Sequence, residues 1–85
     1  MTTSDQPTGA RIEVLVEPFR ENDPGRHVIA AVDAIRATGM EPEMGAFAST
    51  AEGDLHQVIA AVTALCRAGF DHGADAIQVR IERTD

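Results

Sequence analysis

The stretch Val28-Ile29-Ala30-Ala31-Val32 recurs thirty residues along the chain as Val58-Ile59-Ala60-Ala61-Val62. The similarity continues to a glycine in each copy, Gly39 and Gly69. A repeat of this period is typical of one helix–strand unit used twice, because a single such unit cannot bury its own apolar face. Convergence between two Ala/Val-rich amphipathic helices is the alternative, and the matching helix ends favour duplication.

Two amphipathic helices are predicted around the repeat. The first begins at Asp23-Pro24, a capping residue followed by a proline at the first helical position. The second begins at Asp54, which has Gln57 at the spacing of a capping box. Gly39 and Gly69 are expected to end the two helices. The predicted buried faces comprise Val28, Ala31, Val32 and Ile35 in the first helix, and Leu55, Val58, Ile59, Val62, Leu65 and Cys66 in the second.

Four strands are predicted from apolar alternation and from turn residues. They cover residues 11–17 (ended by Pro18), a segment within 40–48 that starts at Pro42, residues 48–52, and residues 77–82. Proline places the second strand at a sheet edge. The order β-α-β-β-α-β predicts an α+β fold, the ferredoxin-like sandwich, in which a four-stranded antiparallel sheet carries both helices on one face. Residues 1–9 are expected to be a disordered lead-in, and residues 10–85 to form the single domain.

The second face of the predicted sheet has no helix to cover it. It carries Leu15 between Glu13 and Glu17 in the first strand, and Gln78, Arg80 and Glu82 in the last strand. A chain of 85 residues buries a modest fraction of its surface and is marginally stable alone. We therefore expect a homodimer or a homotetramer, joined by sheet faces or by strand edges.

Composition narrows the possible partners. The chain has 7 basic and 14 acidic side chains, for a formal charge of −7, and it contains no Trp or Tyr. Such a charge repels nucleic acids and anionic membranes, and we expect neither as a partner. One cysteine, Cys66, and the lack of a signal or membrane segment suit a cytoplasmic protein. His27, His56 and His72 stand apart in sequence, so we expect no catalytic residue, metal, cofactor or enzymatic activity.

The segment from Gly39 to Asp54 carries most of the functional signal. It contains Gly45, Thr50 and then Glu52-Gly53-Asp54 directly before the second helix. Together with Pro18 after the first strand and a charged tail that includes Arg83 and Asp85, this order resembles the small thiamine-binding protein family. The resemblance runs from Arg11 to Asp85 and implies binding of thiamine or of its hydroxymethylpyrimidine half.

The resemblance also implies a set of ligand-binding residues. Thr50 and Ser49 would hydrogen-bond the pyrimidine edge, a carboxylate of Glu17 or Glu52 would face the thiazolium cation, and Phe47 or Phe19 would offer a ring face. A non-enzymatic role in vitamin salvage, carriage or sensing is the resulting hypothesis. The alternatives are a regulatory or interaction module whose sheet mediates self-association or partner docking, and, less favoured, an enzyme of dimeric ferredoxin-like type.

Overall fold

The computed structural model describes residues 8–19, 24–46 and 48–85. The strands form one antiparallel sheet in the order β2-β3-β1-β4, which confirms the predicted α+β ferredoxin-like βαββαβ fold. β1 begins one residue before the predicted domain start, while residues 1–7 of the predicted lead-in lie outside the described residues. The elements are β1 (Gly9–Glu17), α1 (Arg26–Ala37), β2 (Glu43–Met44), β3 (Ser49–Asp54), α2 (Leu55–Asp71) and β4 (Ala76–Arg83).

The core lies between the sheet and the helix layer. β1 is central, and its alternate residues Ile12, Val14 and Val16 are buried as predicted, because successive side chains of a strand point to opposite faces. All four residues predicted for the buried face of α1 are buried. The main contributions from the rest of the chain are Met40 of the connection between α1 and β2, Ala51 of β3, and Val58, Ala61 and Leu65 of α2.

The start of α1 differs from the prediction. The helix begins at Arg26, with Gly25 as the N-cap residue and no side-chain cap, so Pro24 precedes the helix. Asp23, the predicted cap, lies outside the described residues. The first turn is instead tied to the end of β1, because the His27 ring hydrogen-bonds the carbonyl oxygen of Pro18.

The C-terminus of α1 and the N-terminus of α2 are joined by one side chain. Asp54 caps α2 by accepting from the backbone N–H of Gln57 (2.9 Å), and the Gln57 side chain accepts from the N–H of Asp54, which confirms the predicted capping box. The Gln57 amide also donates to the carbonyl oxygen of Thr38 (2.8 Å), just before Gly39 at φ 97°. The two helix ends are therefore fixed relative to each other.

Two details predicted for α2 are wrong. Gly69 does not end the helix, which continues to Asp71 and is followed by Gly73 at φ 106°. Ile59, predicted to be buried, is 51% exposed. The fully enclosed face of α2 is narrower than predicted and is formed by Val58, Ala61, Leu65 and Gly69. The small residues Ala61 and Gly69 allow this face of α2 to pack closely against its neighbours.

The predicted second strand is much shorter than expected. Only Glu43–Met44 pairs with β3, opposite Thr50 and Ser49. The strand lies at a sheet edge, as its proline indicated, but Pro42 itself precedes the ladder. Because proline has no N–H to donate, pairing starts only after it.

Candidate functional site

The sheet face opposite the helices carries the candidate site. Strand register places one alternating set of side chains from all four strands on this face. It is largely polar, as predicted, with Leu15 as an apolar residue near one end. Its members are Arg11, Glu13, Leu15 and Glu17 of β1, Glu43 of β2, Thr50 and Glu52 of β3, and Gln78, Arg80 and Glu82 of β4.

A depression of about 380 Å³ lies where this face meets β2. Register explains how its walls meet, because Thr50 pairs with Glu13 on one side and Glu43 on the other, and Glu52 pairs with Arg11. Its volume falls in the range of about 300–1,000 Å³ that is usual for small-molecule sites. The lining comprises Arg11, Glu41, Pro42, Glu43, Thr50, Ala51 and Glu52.

Negative charge prevails in this depression. Glu41, Glu43 and Glu52 contribute three carboxylates, whereas Arg11 is the one basic side chain among the lining residues described. The Arg11 guanidinium lies 3.5 Å from Glu82, an ion pair that partly neutralises it. The depression can therefore attract a cation and offer a hydroxyl, that of Thr50, as donor or acceptor.

Two further depressions lie along the same face. One of about 370 Å³ is lined by Leu15, Glu17, Pro18 and Phe19, next to a hydrogen bond of 2.9 Å from the Gln78 amide to Glu17. Another of about 330 Å³ lies towards the middle of the face. Its lining comprises Glu13, Leu15, Ala48, Gln78, Val79 and Arg80.

The structure divides the predicted ligand-binding residues into separate places. Thr50 and Glu52 lie together in the first depression. Glu17 lies four residues along β1 from Glu13, the partner of Thr50, which is roughly 13 Å at the usual rise per strand residue. Ser49 is 6% exposed and faces the helix layer, away from Thr50. Phe47 lies outside the described residues.

Five lining residues were absent from the predicted ligand-binding set: Ala51, which neighbours Thr50 in sequence, and Arg11, Glu41, Pro42 and Glu43. Glu41, Pro42 and Glu43 immediately precede or form β2, and the register of β2 with β3 brings them beside Thr50. Arg11 joins them through the pairing of β1 with β3. The signal for Glu41, Pro42 and Glu43 was available, because a polar run at a predicted edge strand must adjoin its neighbouring strand.

The described residues contain no cluster of three or more side chains able to hold a metal ion. None of the helices in the described parts of the chain combines the length and apolar character needed to cross a bilayer. Two histidines whose contacts are defined bind backbone carbonyl oxygens: His27 that of Pro18, and His72 that of Ala68 at 2.8 Å. These rings stabilise loop and helix ends.

Comparison with known proteins assigns the chain to a family. The family model described as "Thiamine-binding protein" matches residues 12–85, from β1 through the C-terminal residue. The chain belongs to the thiamine-binding protein family. The match includes every residue that lines the acidic depression except Arg11. No curated protein matches the chain significantly.

Solved structures share the fold of this thiamine-binding family member. A domain of unknown function, DUF77, from Bacillus cereus is 24% identical, with a TM-score of 0.68 over 93% of this chain and 77% of that one. A candidate thiamine biosynthesis/salvage protein from Thermotoga maritima is 20% identical, with a TM-score of 0.65 over 91% of this chain and 83% of that one. A hypothetical protein from Methanocaldococcus jannascii is 14% identical, with a TM-score of 0.63 over 92% and 78%.

Proposed function

We propose that this protein binds thiamine, or its hydroxymethylpyrimidine moiety, in the acidic depression beside β2, as a non-enzymatic cytoplasmic carrier or sensor. Family membership supports the class of ligand. The observation that carries the proposal is the placement of Thr50 and Glu52 in one depression with an excess of carboxylates. The salvage role given to the Thermotoga maritima protein is consistent with it.

The chemistry of the ligand matches the chemistry of the depression. Thiamine joins an aminopyrimidine to a permanently cationic thiazolium ring. The Thr50 hydroxyl can hydrogen-bond the pyrimidine edge, and the carboxylates of Glu43 and Glu52 can face the cation. Pro42 and Ala51 supply apolar surface between these groups.

Two substitutions should separate the contacts made to the two halves of thiamine. Thr50→Val removes the hydroxyl at nearly constant volume and should weaken both thiamine and hydroxymethylpyrimidine about 10-fold, because a ligand polar group loses its partner. Glu52→Gln should weaken thiamine several-fold and leave hydroxymethylpyrimidine unchanged, because only thiamine carries the thiazolium charge. Isothermal titration calorimetry with each ligand measures both effects.

Matched controls exist on α2, away from the sheet face. Thr63→Val and Asp71→Asn make the same chemical changes at exposed helix positions and should leave both affinities unaltered. Asp71→Asn also removes one negative charge, so it separates a local contact from the effect of net charge. Absence of binding heat for the unmodified chain with either ligand at millimolar concentration would contradict the proposed function.

Salt should distinguish the two ligands independently of mutation. Raising the NaCl concentration from about 0.01 M to about 1 M shortens the Debye length from roughly 30 Å to roughly 3 Å. Thiamine affinity should fall several-fold over this range, because a cation approaches a chain of formal charge −7. Hydroxymethylpyrimidine, which is uncharged at neutral pH, should bind with constant affinity. Equal salt sensitivity of the two ligands would argue against a carboxylate-lined site.

A further inference from the structure

Arg11 lies between two carboxylates on the open sheet face. It is the cross-strand partner of Glu52 on β3 and of Glu82 on β4. Side chains directly opposite each other on an antiparallel pair of strands have Cβ atoms about 4.5–5.5 Å apart, so the guanidinium can reach either carboxylate. The choice between the two determines whether Glu52 offers an unpaired negative charge to a ligand.

The structure shows which carboxylate Arg11 contacts. A guanidinium nitrogen of Arg11 lies 3.5 Å from Oε1 of Glu82. Among the ion pairs within the described part of the chain, none joins Arg11 to Glu52. Glu52 lines the acidic depression together with Arg11, whereas Glu82 is not among the described lining residues. The one basic side chain found in that lining is therefore paired outside it.

Glu82 is also held by a second arginine. Arg80 lies two residues earlier on β4, on the same face of the sheet. One of its guanidinium nitrogens is 3.1 Å from the same oxygen, Oε1 of Glu82. Arg11 and Arg80 are the two arginines that the register of the described strands places on this face. Both positive charges of the face are thus gathered at one carboxylate on β4.

This arrangement leaves negative charge on the β2 side of the face. Glu13, Glu43 and Glu52 take part in none of the ion pairs among the residues that the structure describes. A carboxylate that is already bound to an arginine must give up that contact before it can receive another cation. Because Glu52 is not bound in this way, its full charge can act on a cation that enters the depression.

We propose that Glu82 is a positioning residue that sets the preference of the acidic depression for cationic over neutral ligands, because it holds Arg11 away from Glu52. The inference rests on the proposed function, since it takes the acidic depression as the binding site. Glu82 does not contact the ligand, and its effect passes through Arg11. Without Glu82, the guanidinium pairs with its other cross-strand neighbour, Glu52, and competes with the thiazolium ring for that carboxylate.

Replacement of Glu82 by glutamine tests this role. Glu82→Gln should weaken thiamine binding about two- to five-fold, the range that exposed charge pairs contribute, and should leave the affinity for the neutral hydroxymethylpyrimidine unchanged. The Glu82 side chain is 42% exposed, so the substitution leaves the core intact. Isothermal titration calorimetry with both ligands measures the effect. Asp71→Asn removes the same charge at an exposed position of α2 and should alter neither affinity.

A double-mutant cycle separates the positioning role from the charge of Glu82 itself. In an Arg11→Gln background no guanidinium remains to pair with Glu52, so Glu82→Gln should no longer change the affinity for thiamine. If Glu82 acted only through its own negative charge, its replacement would weaken thiamine binding by the same factor with and without Arg11. Such an additive result would overturn the proposal, whereas loss of the Glu82 effect in the Arg11→Gln background would support it.

A ligand-free crystal structure of the Glu82→Gln variant provides a test that does not depend on thiamine. The Arg11 guanidinium should move to within about 4 Å of the Glu52 carboxylate, the distance of an ion pair. An Arg11 side chain that stays away from Glu52 would refute the positioning role.

The two experiments also separate this inference from the proposed function. If the unmodified chain bound no thiamine, the proposed function would fail, and the crystal structure of the variant would still decide whether Glu82 holds Arg11 away from Glu52. If the unmodified chain bound thiamine and Glu82→Gln bound it equally well, the role of Glu82 alone would be disproved.

Discussion

Leu65→Ala and Ile35→Ala should each lower the free energy of unfolding by about 2–5 kcal/mol, the usual cost of emptying a fully buried aliphatic position. Both side chains are 0% exposed, and they occupy equivalent positions in the thirty-residue repeat. A chain of 85 residues has a total stability of about 4–13 kcal/mol. Either variant therefore removes a large part of the stability, and urea denaturation followed by circular dichroism measures the loss.

The same repeat supplies a matched pair of controls. Ile29 and Ile59 are equivalent to each other but are 48% and 51% exposed. Ile29→Ala and Ile59→Ala should change the unfolding free energy by less than about 1 kcal/mol, because little buried volume is lost. Equal destabilisation by all four alanine variants would show that the helices are rotated relative to the described structure.

Gly69→Leu should destabilise the protein by about 3 kcal/mol, the upper end of the usual cost of overpacking. A Cβ atom at Gly69 would lie 2.8 Å from Cδ1 of Ile77, 3.8 Å from Val16 and 3.9 Å from Ala31, so this glycine sits where α2 meets β4, β1 and α1. A leucine side chain has no free volume there. Thermal and urea denaturation of the purified variant measure the change.

Two further variants isolate the packing effect from helix propensity. Gly69→Ala should be much milder than Gly69→Leu, because the end of the Ile77 side chain can shift and alanine favours the helix by about 1 kcal/mol. Ala60→Leu places leucine at an exposed position of the same helix and should be nearly neutral. A stable Gly69→Leu variant would mean that α2 ends before Gly69, as its sequence first indicates.

Local patterns in the sequence were sufficient for most of the fold. Alternation identified the buried side of β1, and the Asp54–Gln57 spacing located the start of α2, because both signals arise from neighbouring residues. The prediction that α2 ends at Gly69 is wrong because a glycine after an amphipathic run normally marks the end of a helix. Its actual role depends on Ile77, a contact that no local pattern encodes.

The candidate site was predicted less completely, for two different reasons. Adjacent residues of a strand face opposite sides, so the separation of Ser49 from Thr50 followed from the strand assignment alone. Arg11, by contrast, joins the depression only through the register of β1 with β3, which depends on the whole sheet. The same register explains why Glu17 lies outside the depression. It pairs Thr50 with Glu13, which is four residues from Glu17 along β1.

The shortness of β2 affects how the acidic depression would bind a ligand. Glu43–Met44 is held to the sheet by a ladder of two residues, whereas the opposite wall belongs to the central strands. Segments with so few backbone hydrogen bonds open locally at a small fraction of the global unfolding free energy. The wall formed by β2 is thus held by fewer backbone hydrogen bonds than the wall formed by the central strands. Under the proposed function, this difference would allow the same residues to enclose thiamine and its smaller hydroxymethylpyrimidine moiety.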